Sequence, residues 1–331
     1  MSQAAAQSSA SASADVIVVG AGPAGSSAAY HMATLGLDVI LLEKQELGRD
    51  KVCGDGLTPS AVRELVSMGM DTTGWQRNRG LRVIGGGHLL HFPWPEQASF
   101  PSYGMARPRA LLDRDLAEHA AAAGARLLTG VTVTAPVTSP TGRVTGVEAR
   151  PTNRVAYPGI EGPTTFTAPL VVDAGGVSAR LATAVGRTKN ERRPMGVAVR
   201  AYFRSPRAKD AWMESRLELW DGTPGKSDLL PGYGWIWSVG EGLVNVGLGS
   251  VSSRAQATAI DYRAVFNRWM DNVPASWGFT KENQVGGLVS AALPMAFNRK
   301  PHYADGLMLL GDAGGMVSPF NGEGIAQALM S

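Results

Sequence analysis

A strand, a glycine-rich turn and a helix follow one another near the N-terminus, and this combination constrains the fold more than any other feature. An apolar run predicts a buried strand over Asp15–Gly20, and an alanine-rich helix is predicted from Pro23 to Leu35. A second apolar run predicts a strand over Asp38–Glu43. Because neither strand alternates in polarity, we expect a βαβ unit in a parallel sheet that is covered on both faces.

The turn Gly20-Ala21-Gly22-Pro23-Ala24-Gly25 has the pattern that a dinucleotide phosphate requires. Gly20 allows the tight turn, Gly22 lets the pyrophosphate approach the backbone, and Gly25 permits close packing of helix and strand. Pro23 and Ala24 open the helix, whose N-terminus would face the phosphates. The glycines alone do not distinguish FAD from NAD.

An acidic residue stands where a dinucleotide-binding unit needs one. Glu43 ends the second strand, 18 residues after Gly25 (43 − 25), in position for a pair of ribose hydroxyls. Together with the neighbouring Lys44, it completes the predicted cofactor site at this end of the chain.

A second motif near the C-terminus identifies the ligand as FAD. A strand over Gly306–Leu310 leads into Gly311-Asp312-Ala313-Gly314, and the segment Ser318–Ile325 then opens a helix. This arrangement resembles the second flavin motif of the para-hydroxybenzoate hydroxylase-like flavoproteins. The resemblance implies that Asp312 holds the ribityl chain and that the following helix start, with Gly322, Gly324 and Ile325, faces the flavin pyrimidine ring, where negative charge develops on reduction.

Two further positions bear on the resemblance. Arg109, at the start of a helix predicted over Arg109–Gly124, resembles the family arginine that contacts the flavin cofactor; the alternative is an ordinary solvated arginine at a helix start. Hydroxylases of this class carry an Asp-Gly pair where this chain has Gly175-Gly176. This departure argues against the hypothesis that the protein is an aromatic hydroxylase, because that aspartate supports the nicotinamide donor step in those enzymes.

Two segments narrow the family. Asp50-Lys-Val-Cys53-Gly54-Asp55-Gly56-Leu-Thr-Pro59 resembles the Cys-Gly segment of the geranylgeranyl reductase family. Pro231-Gly-Tyr233-Gly-Trp235-Ile-Trp237 is similar to that family's Tyr-x-Trp-x-Phe motif, with Trp237 in place of phenylalanine. Taken alone, the first segment is more simply explained as a buried structural cysteine and the second as an ordinary aromatic strand. Because both occur in the expected order with the two flavin motifs, they favour the family.

The resemblance implies an FAD-dependent reductase that saturates carbon–carbon double bonds of a polyprenyl chain, either a menaquinone side chain or a geranylgeranyl lipid. Cys53 is the candidate proton donor, since an unperturbed thiol with a pKa of about 8.5 is mostly protonated at neutral pH; shaping the pocket or holding a water molecule are its alternative roles. Tyr233, Trp235 and Trp237, on alternate strand positions, would present an apolar wall to an isoprene unit. NADPH or another reductant would supply the electrons.

Two other functions stay open from the sequence. The first is an FAD-dependent monooxygenase or halogenase that acts on an aromatic substrate. The second is an inactive flavin- or lipid-binding protein, because members of the family usually continue with further helices and this chain ends inside the helix opened by the Gly-Asp motif. We therefore expect a chain that is truncated or unusually short.

The domain organisation follows from a change in character along the chain. Strands with aromatic residues are predicted over Val197–Phe203, Arg216–Trp220 and Tyr233–Val239, followed by a helix near Ala257–Asp271. The predicted fold is α/β, with a Rossmann-like FAD-binding domain built on a parallel sheet and a second, antiparallel-sheet substrate domain. The predicted boundaries are a disordered tail (1–14), an FAD-binding domain (15–75, 104–190 and 291–331) and a substrate domain (76–103 and 191–290).

Composition limits the partners. The net charge of +3 comes without a long Lys/Arg run, so we expect no nucleic-acid partner. The five histidines are scattered and Cys53 is the single cysteine, so we expect no metal site, no intramolecular disulfide and a reducing compartment. The sequence predicts a cytoplasmic protein; a prenyl substrate adds a peripheral association with the cytoplasmic membrane face.

Overall fold

A computed structural model of the protein describes residues 11–152, 162–190, 192–252 and 260–331. The strands within these residues, numbered in chain order, are β1 (Ser11–Ser13), β2 (Val16–Val19), β3 (Val39–Leu42), β4 (Gly56–Leu57), β5 (Gln76–Asn78), β6 (Gly80–Gly85), β7 (His88–Pro93), β8 (Gly104–Ala106), β9 (Arg126–Leu128), β10 (Val131–Thr138), β11 (Val144–Pro151), β12 (Thr164–Thr167), β13 (Leu170–Asp173), β14 (Met195–Arg204), β15 (Trp212–Arg216), β16 (Leu219–Trp220), β17 (Leu229–Leu230), β18 (Gly232–Gly240), β19 (Leu243–Ser252), β20 (Gln284–Pro294), β21 (Tyr303–Ala304) and β22 (Leu307–Leu309).

The α-helices of the same residues are α1 (Pro23–Thr34), α2 (Pro59–Ser67), α3 (Arg109–Ala122), α4 (Arg180–Ala184), α5 (Tyr262–Met270) and α6 (Ile325–Met330). Short 3₁₀ turns lie at Gly176–Ser178, Pro206–Lys209, Ala275–Trp277 and Gly311–Ala313. Among the described residues, none of these helices has the length and apolar character needed to cross a membrane.

A six-stranded sheet in the order β21-β22-β13-β2-β3-β9 carries the first domain. All its strands are parallel except β21, which is antiparallel to β22. Alanines of α1 and α3 pack on one face, and the four-stranded sheet β1-β12-β11-β10 covers the other through residues such as Val147 and Phe166. This double cover explains the unbroken apolar runs of the strands. The carboxyl ends of β2, β3, β13 and β22 consequently meet at one edge, the position where open α/β sheets bind ligands.

The second large sheet has seven strands in the order β20-β14-β19-β18-β15-β6-β7. Neighbouring strands are antiparallel except β15 and β6, which run parallel. One face packs against α5 through Val265, Phe266 and Trp269. The opposite face carries Trp235 and Trp237 and turns toward the first domain, where Ala106 of β8 joins the same apolar cluster. The small sheet β4-β8-β5 lies at this junction.

The fold class is confirmed: the structure has both a parallel and an antiparallel sheet in the predicted parts of the chain. The domain boundaries stay a prediction, although residues 11–14 are not a free tail. Ser11–Ser13 pairs in parallel with β12, and Ala12 and Ala14 pack against the core, which is why this serine- and alanine-rich stretch is ordered. Residues 1–10 lie outside the described residues.

Two predicted elements differ from the structure. The strand expected over Arg216–Trp220 is divided into β15 and β16, because the chain leaves β18 and β6 after Arg216 and pairs with β17 from Leu219. The helix expected from Ala257 begins at Tyr262, where the Asp261 carboxylate accepts the backbone N–H groups of Arg263 and Ala264 and so caps the helix. Residues 153–161 and 253–259 lie outside the described residues.

Candidate functional site

Three glycines shape the turn between β2 and α1, and two of them are required by the protein itself. Gly20 has a φ of +101°, and a Cβ there would lie 2.5 Å from the carbonyl oxygen of Ala174. A Cβ on Gly25 would lie 1.8 Å from the carbonyl oxygen of Gly20. Both positions therefore allow only glycine on packing grounds, as the close contact between strand and helix demands.

Gly22 is different, and it provides the test of whether FAD fits. Its φ of −80° suits any residue, and a Cβ placed on it would meet no atom within 4 Å. Nothing in the protein requires a glycine at this position, yet its missing side chain leaves open space at the first turn of α1, which begins with Pro23 and Ala24. A dinucleotide pyrophosphate needs this close access to the backbone at a helix N-terminus. The turn therefore fits the cofactor.

Glu43 lies where the carboxyl ends of β2 and β3 meet. It is buried, and its two carboxylate oxygens accept the backbone N–H groups of Ala21 at 2.9 Å and Gln45 at 3.1 Å. A carboxylate has about four lone-pair positions, so acceptor capacity remains for ribose hydroxyls. Arg49 lies 3.9 Å away, and Lys44 is exposed at the rim.

Asp312 lies at the same edge, in the 3₁₀ turn after β22. Its Oδ1 is 3.8 Å from the Cβ position of Gly324, so the carboxylate borders the start of α6. Lys51 approaches its Oδ2 to 3.5 Å from the cysteine-bearing loop. Gly322 has a φ of +75° in the preceding turn, and Ile325 is buried below it. The structure thus brings the N-terminal and C-terminal motifs to the same edge of the sheet, and the flavin contacts of Asp312, Gly322, Gly324 and Ile325 stay a prediction.

The segment Val52–Gly56, which we call the cysteine loop, rests on the seven-stranded sheet. The indole N–H of Trp237 donates to the carbonyl oxygen of Gly54, and a Cβ on Gly54 would lie 2.5 Å from that indole. Asn245 of β19 donates from its Nδ2 to the carbonyl oxygen of Cys53 at 2.9 Å. The loop is therefore fixed to strands that are distant in sequence, and it carries Cys53 across the domain junction.

Asp55 is the fully buried centre of these contacts. Its Oδ2 accepts hydrogen bonds from Asn245 at 2.8 Å and from the Tyr202 hydroxyl, and its Oδ1 accepts the backbone N–H of Arg109 at 3.2 Å. Its backbone has a φ of +64°, a conformation that residues other than glycine rarely adopt. Such a conformation persists only where surrounding contacts hold it, and these hydrogen bonds supply them.

Arg109 lies beside the Cys53 thiol at the start of α3. It is buried, and its guanidinium forms a two-pronged ion pair with Asp113 at 2.7 and 2.9 Å. This geometry excludes the alternative of a solvated arginine at a helix start. Flavin contact by Arg109 stays a prediction. Against the effect of burial, Asp113 and then the neighbouring Cys53 raise the pKa of the guanidinium.

The protonation states at this centre follow from burial. Burial raises the pKa of the Cys53 thiol, and the neighbouring Arg109 charge opposes the rise only in part, so the thiol keeps its proton at neutral pH. Burial also raises the pKa of Asp55 to about 6, against the opposing hydrogen bonds from Tyr202 and Asn245. The Asp55 carboxyl therefore titrates near pH 6.

The predicted substrate residues form one aromatic row on the inner face of β18. Trp235 and Trp237 stack with ring centroids 5.8 Å apart, and Tyr233 is 6.1 Å from Trp235. Both tryptophans are buried, and the Trp235 indole N–H donates to Asn245 at 2.8 Å. The Tyr233 hydroxyl donates to the carbonyl oxygen of Asn321 at 2.7 Å, which ties the row to the second flavin motif. Contact with substrate stays a prediction.

Sequence reasoning missed Tyr202, Asn245 and the role of Asp55. The segment around Cys53 contains Asp55, but no local pattern reveals that its carboxylate is buried. Tyr202 and Asn245 lie in β14 and β19, where they alternate with ordinary apolar residues. The signal that unites them is strand register, which pairs Tyr202 with Asn245 directly across the sheet.

The glycine turn yields a prediction that separates cofactor binding from folding. We expect Gly22→Ala to leave the stability of the protein without cofactor within about 0.5 kcal/mol of the original, while the added methyl group weakens FAD binding by about tenfold or more. Gly25→Ala is the matched variant: its Cβ collides with backbone, so it should lower stability itself. Denaturant unfolding and flavin fluorescence titration measure both quantities. Unchanged FAD affinity in Gly22→Ala would contradict the assignment.

Asp55 yields a prediction about pH. Its pKa is higher in the folded protein (about 6) than the value of about 3.9 expected when unfolded, so its contribution to stability is present at low pH and is lost as pH rises between these values. The loss amounts to about 3 kcal/mol. Asp55→Asn removes this titration, so the original protein should gain stability relative to the variant on acidification from pH 7 to pH 4. Denaturant unfolding across this range measures the difference.

The exposed Asp228→Asn is the control for that experiment, because it removes a carboxylate that is not buried. Its stability profile should run parallel to that of the original protein. Parallel profiles for Asp55→Asn as well would show that the buried carboxylate does not titrate in this range.

Comparison with known proteins supports FAD as the cofactor. Residues 13–330 match the family model described as an FAD binding domain. The menaquinone reductase of Mycolicibacterium smegmatis is 39% identical over 96% of this chain and 74% of its own length. Digeranylgeranylglycerophospholipid reductase 1 of Methanosphaera stadtmanae is 30% identical over 96% of this chain and 72% of its own length.

Solved structures share the fold. A geranylgeranyl bacteriochlorophyll reductase-like protein from Thermoplasma acidophilum superposes with a TM-score of 0.78 at 24% identity, covering 97% of this chain and 76% of that protein. A myxobacterial chondrochloren halogenase superposes with a TM-score of 0.74 at 23% identity, covering 96% and 72%. Both likenesses establish the fold alone. The family model and the similarity to the two reductases show, as the motifs predicted, that this chain belongs to the geranylgeranyl reductase family of FAD-dependent oxidoreductases.

Proposed function

We propose that the protein reduces an isolated carbon–carbon double bond in a polyprenyl chain, with the side chain of menaquinone as the first candidate substrate. The observation that carries the proposal is the position of Cys53: its segment contacts Asp312 of the second flavin motif through Lys51 and the aromatic face of β18 through Trp237. The similarity to proteins named menaquinone reductase supports the choice of substrate.

The chain's own residues would perform three tasks. Gly22, Glu43 and Asp312, with the rim residue Lys44, would hold FAD, which when bound supplies the hydride that a poorly electrophilic alkene needs. The row Tyr233, Trp235 and Trp237 would orient an isoprene unit and exclude water.

Cys53 would complete the reduction. Saturation of an alkene requires one hydride and one proton, and the thiol would give its proton to the second carbon. The Arg109 guanidinium would then stabilise the thiolate that remains, until solvent returns the proton. The hydride carries both electrons and the thiol proton carries none, so the two hydrogen atoms added to the alkene account for the two electrons taken from the reductant. We infer that this reductant is NADPH or another donor.

A prenylated quinone resides in a membrane, so we infer that the protein works peripherally at the cytoplasmic membrane face. The mildly basic composition, with a net charge of +3, is compatible with an anionic lipid surface. A single cysteine and no disulfide suit the reducing side of that membrane.

Anaerobic reoxidation tests the proposal directly. The bound flavin is reduced chemically without oxygen, and menaquinone or a geranylgeranyl lipid is then added. We expect the flavin absorbance to return and mass spectrometry to show a product that keeps two additional hydrogen atoms in its side chain after any quinol has been reoxidised in air. Reoxidation by oxygen alone would contradict the reductase assignment, and oxygen consumption coupled to an aromatic substrate would favour the monooxygenase or halogenase instead.

The role of Cys53 leads to a separate prediction. Cys53→Ala should lower kcat by about 10²- to 10⁴-fold, the usual contribution of a positioned proton donor, while FAD content stays normal. In the original enzyme the rate should fall only at a pH above the ordinary thiol pKa of about 8.5, because burial raises that pKa. Steady-state kinetics across pH measures both effects. Full turnover in Cys53→Ala with normal flavin content would remove the thiol from the chemistry.

A further inference from the structure

The sulfur of Cys53 contacts the backbone of Asp55 within the cysteine loop. The backbone N–H of Asp55 donates to the Cys53 Sγ, with nitrogen and sulfur 3.3 Å apart. A donor in this position favours the thiolate form of the sulfur over the thiol. The placement of the sulfur therefore depends on what holds residue 55 in place.

The side chain of Asp55 anchors this residue to three separate elements. Its Oδ1 accepts the backbone N–H of Arg109 at the start of α3, at 3.2 Å. Its Oδ2 accepts the side-chain amide of Asn245 in β19 at 2.8 Å and the hydroxyl of Tyr202 in β14. These contacts come from both domains, so they fix the N–H group that touches the sulfur.

The positive charge of Arg109 works against a proton donor at Cys53. The guanidinium lies beside the thiol and is buried with it. A cysteine next to an arginine commonly loses its proton and becomes a reactive thiolate. Because a thiolate has no proton to give, a proton donor in this place requires something that offsets the arginine.

Two carboxylates offset it. Asp113 forms the two-pronged ion pair with the Arg109 guanidinium, at 2.7 and 2.9 Å. Asp55 is the carboxylate whose charge acts on the thiol itself. Burial has the largest effect on the pKa of the Cys53 thiol and raises it, Arg109 lowers that pKa, and the charge of Asp55 raises it again. The hydroxyl of Tyr233 also faces the thiol, but burial raises its pKa to about 12, so it stays neutral.

We propose that Asp55 is a positioning residue for Cys53: its anchored backbone N–H holds the sulfur in place, and its carboxylate charge offsets the charge of Arg109 so that the sulfur keeps its proton. This inference rests on the proposed function, in which Cys53 is the proton donor. Asp55 acts through Cys53 and exchanges no proton with the substrate. Its buried charge is thus assigned a task in the reaction.

The charge of Asp55 is present over the whole pH range in which the thiol titrates. The cations that face its carboxylate are Arg200 of β14 and Arg109, and with the hydrogen bonds from Tyr202 and Asn245 they limit the effect of burial, so its pKa is about 6. The thiol titrates above the ordinary value of about 8.5. Because the two titrations are separate, the effect of the Asp55 charge on the thiol is measurable by itself.

Titration of the single cysteine in the FAD-loaded protein tests the charge. Asp55→Asn removes the carboxylate and keeps its size, and asparagine tolerates the φ of +64° found here. We measure the rate of Cys53 alkylation by iodoacetamide against pH. The midpoint in Asp55→Asn should lie about one pH unit below that of the original protein. The fall of kcat at high pH should move by the same amount, since both report the loss of the thiol proton.

Two variants separate the charge from a loosened loop. Tyr202→Phe removes one hydrogen bond to Asp55 and leaves its charge, so the midpoint should stay within about 0.3 pH units of the original. Asp50→Asn removes a carboxylate from the same segment, but that side chain is 52% exposed and solvent screens it, so the midpoint should again stay in place. Bound flavin and cooperative unfolding show that each variant is folded.

Asp55→Gly tests the anchor. Glycine adopts the same φ without strain but has no carboxylate to bind Tyr202, Asn245 and the Arg109 backbone. The midpoint should fall as in Asp55→Asn, and kcat at neutral pH should fall by about tenfold with little change in KM, because the sulfur is no longer held in position. This variant also replaces Asp55→Asn in the titration if the asparagine variant does not fold.

Three results would overturn the proposal. The first is an unchanged thiol midpoint in a folded variant without the Asp55 carboxylate. The second is an equal shift in Tyr202→Phe, which would assign the effect to the loosened loop. The third is an unchanged kcat in Asp55→Gly at neutral pH, which would show that the anchor does not position the sulfur.

Failure of the proposed function has a different signature. If neither menaquinone nor a geranylgeranyl lipid reoxidises the reduced flavin, the reductase assignment fails. The alkylation profile needs no turnover, so it still decides whether the charge of Asp55 keeps the proton on Cys53.

Discussion

The buried carboxylate of Asp55 connects the two halves of the molecule. It accepts hydrogen bonds from Tyr202 and Asn245 of the seven-stranded sheet and from the backbone of Arg109, which begins α3 of the first domain. A buried carboxylate without such partners would be strongly destabilising, so each of these contacts is needed once Asp55 is enclosed. The position of the cysteine loop, and with it the thiol of Cys53, depends on this arrangement.

Close packing around the loop explains its glycines. Gly54 and Gly56 lie under Trp237 and Met213, where any side chain would collide. The tryptophan that could orient a substrate therefore also fixes the loop, through its hydrogen bond to the Gly54 carbonyl oxygen. One aromatic residue serves both the domain junction and the site, because packing and chemistry meet on the same sheet face.

At its β15-β6-β7 end, the seven-stranded sheet carries its charged side chains on the face opposite the site. Glu214 is almost fully buried there, with Arg207 and Arg216 both at 2.8 Å and Arg82 at 3.2 Å. Arg207 and Arg216 hold the pKa of its carboxyl below the ordinary value against the effect of burial. Alternation along β6, β7 and β15 separates the two environments. A one-residue shift of register would exchange them.

The sequence by itself determined the fold class, FAD as the cofactor and the family. Gly20, Gly25 and Glu43 belong to one βαβ unit, and Asp312 follows a strand of the same sheet, so local pattern was sufficient to place them at one edge, while their contacts with FAD stay a prediction. The prediction of one strand over Arg216–Trp220 was wrong, because a change of strand partner leaves no signal in the local sequence.

Only the tertiary structure decided what surrounds Cys53. Asp55, Tyr202 and Asn245 come from three separate segments, and their meeting depends on strand register and on how the two sheets pack. Neither is encoded in a window of neighbouring residues. The same holds for Leu89 and Leu90, which are alike in sequence: only the pairing of β7 with β6 shows which of them lies on the same sheet face as Trp237.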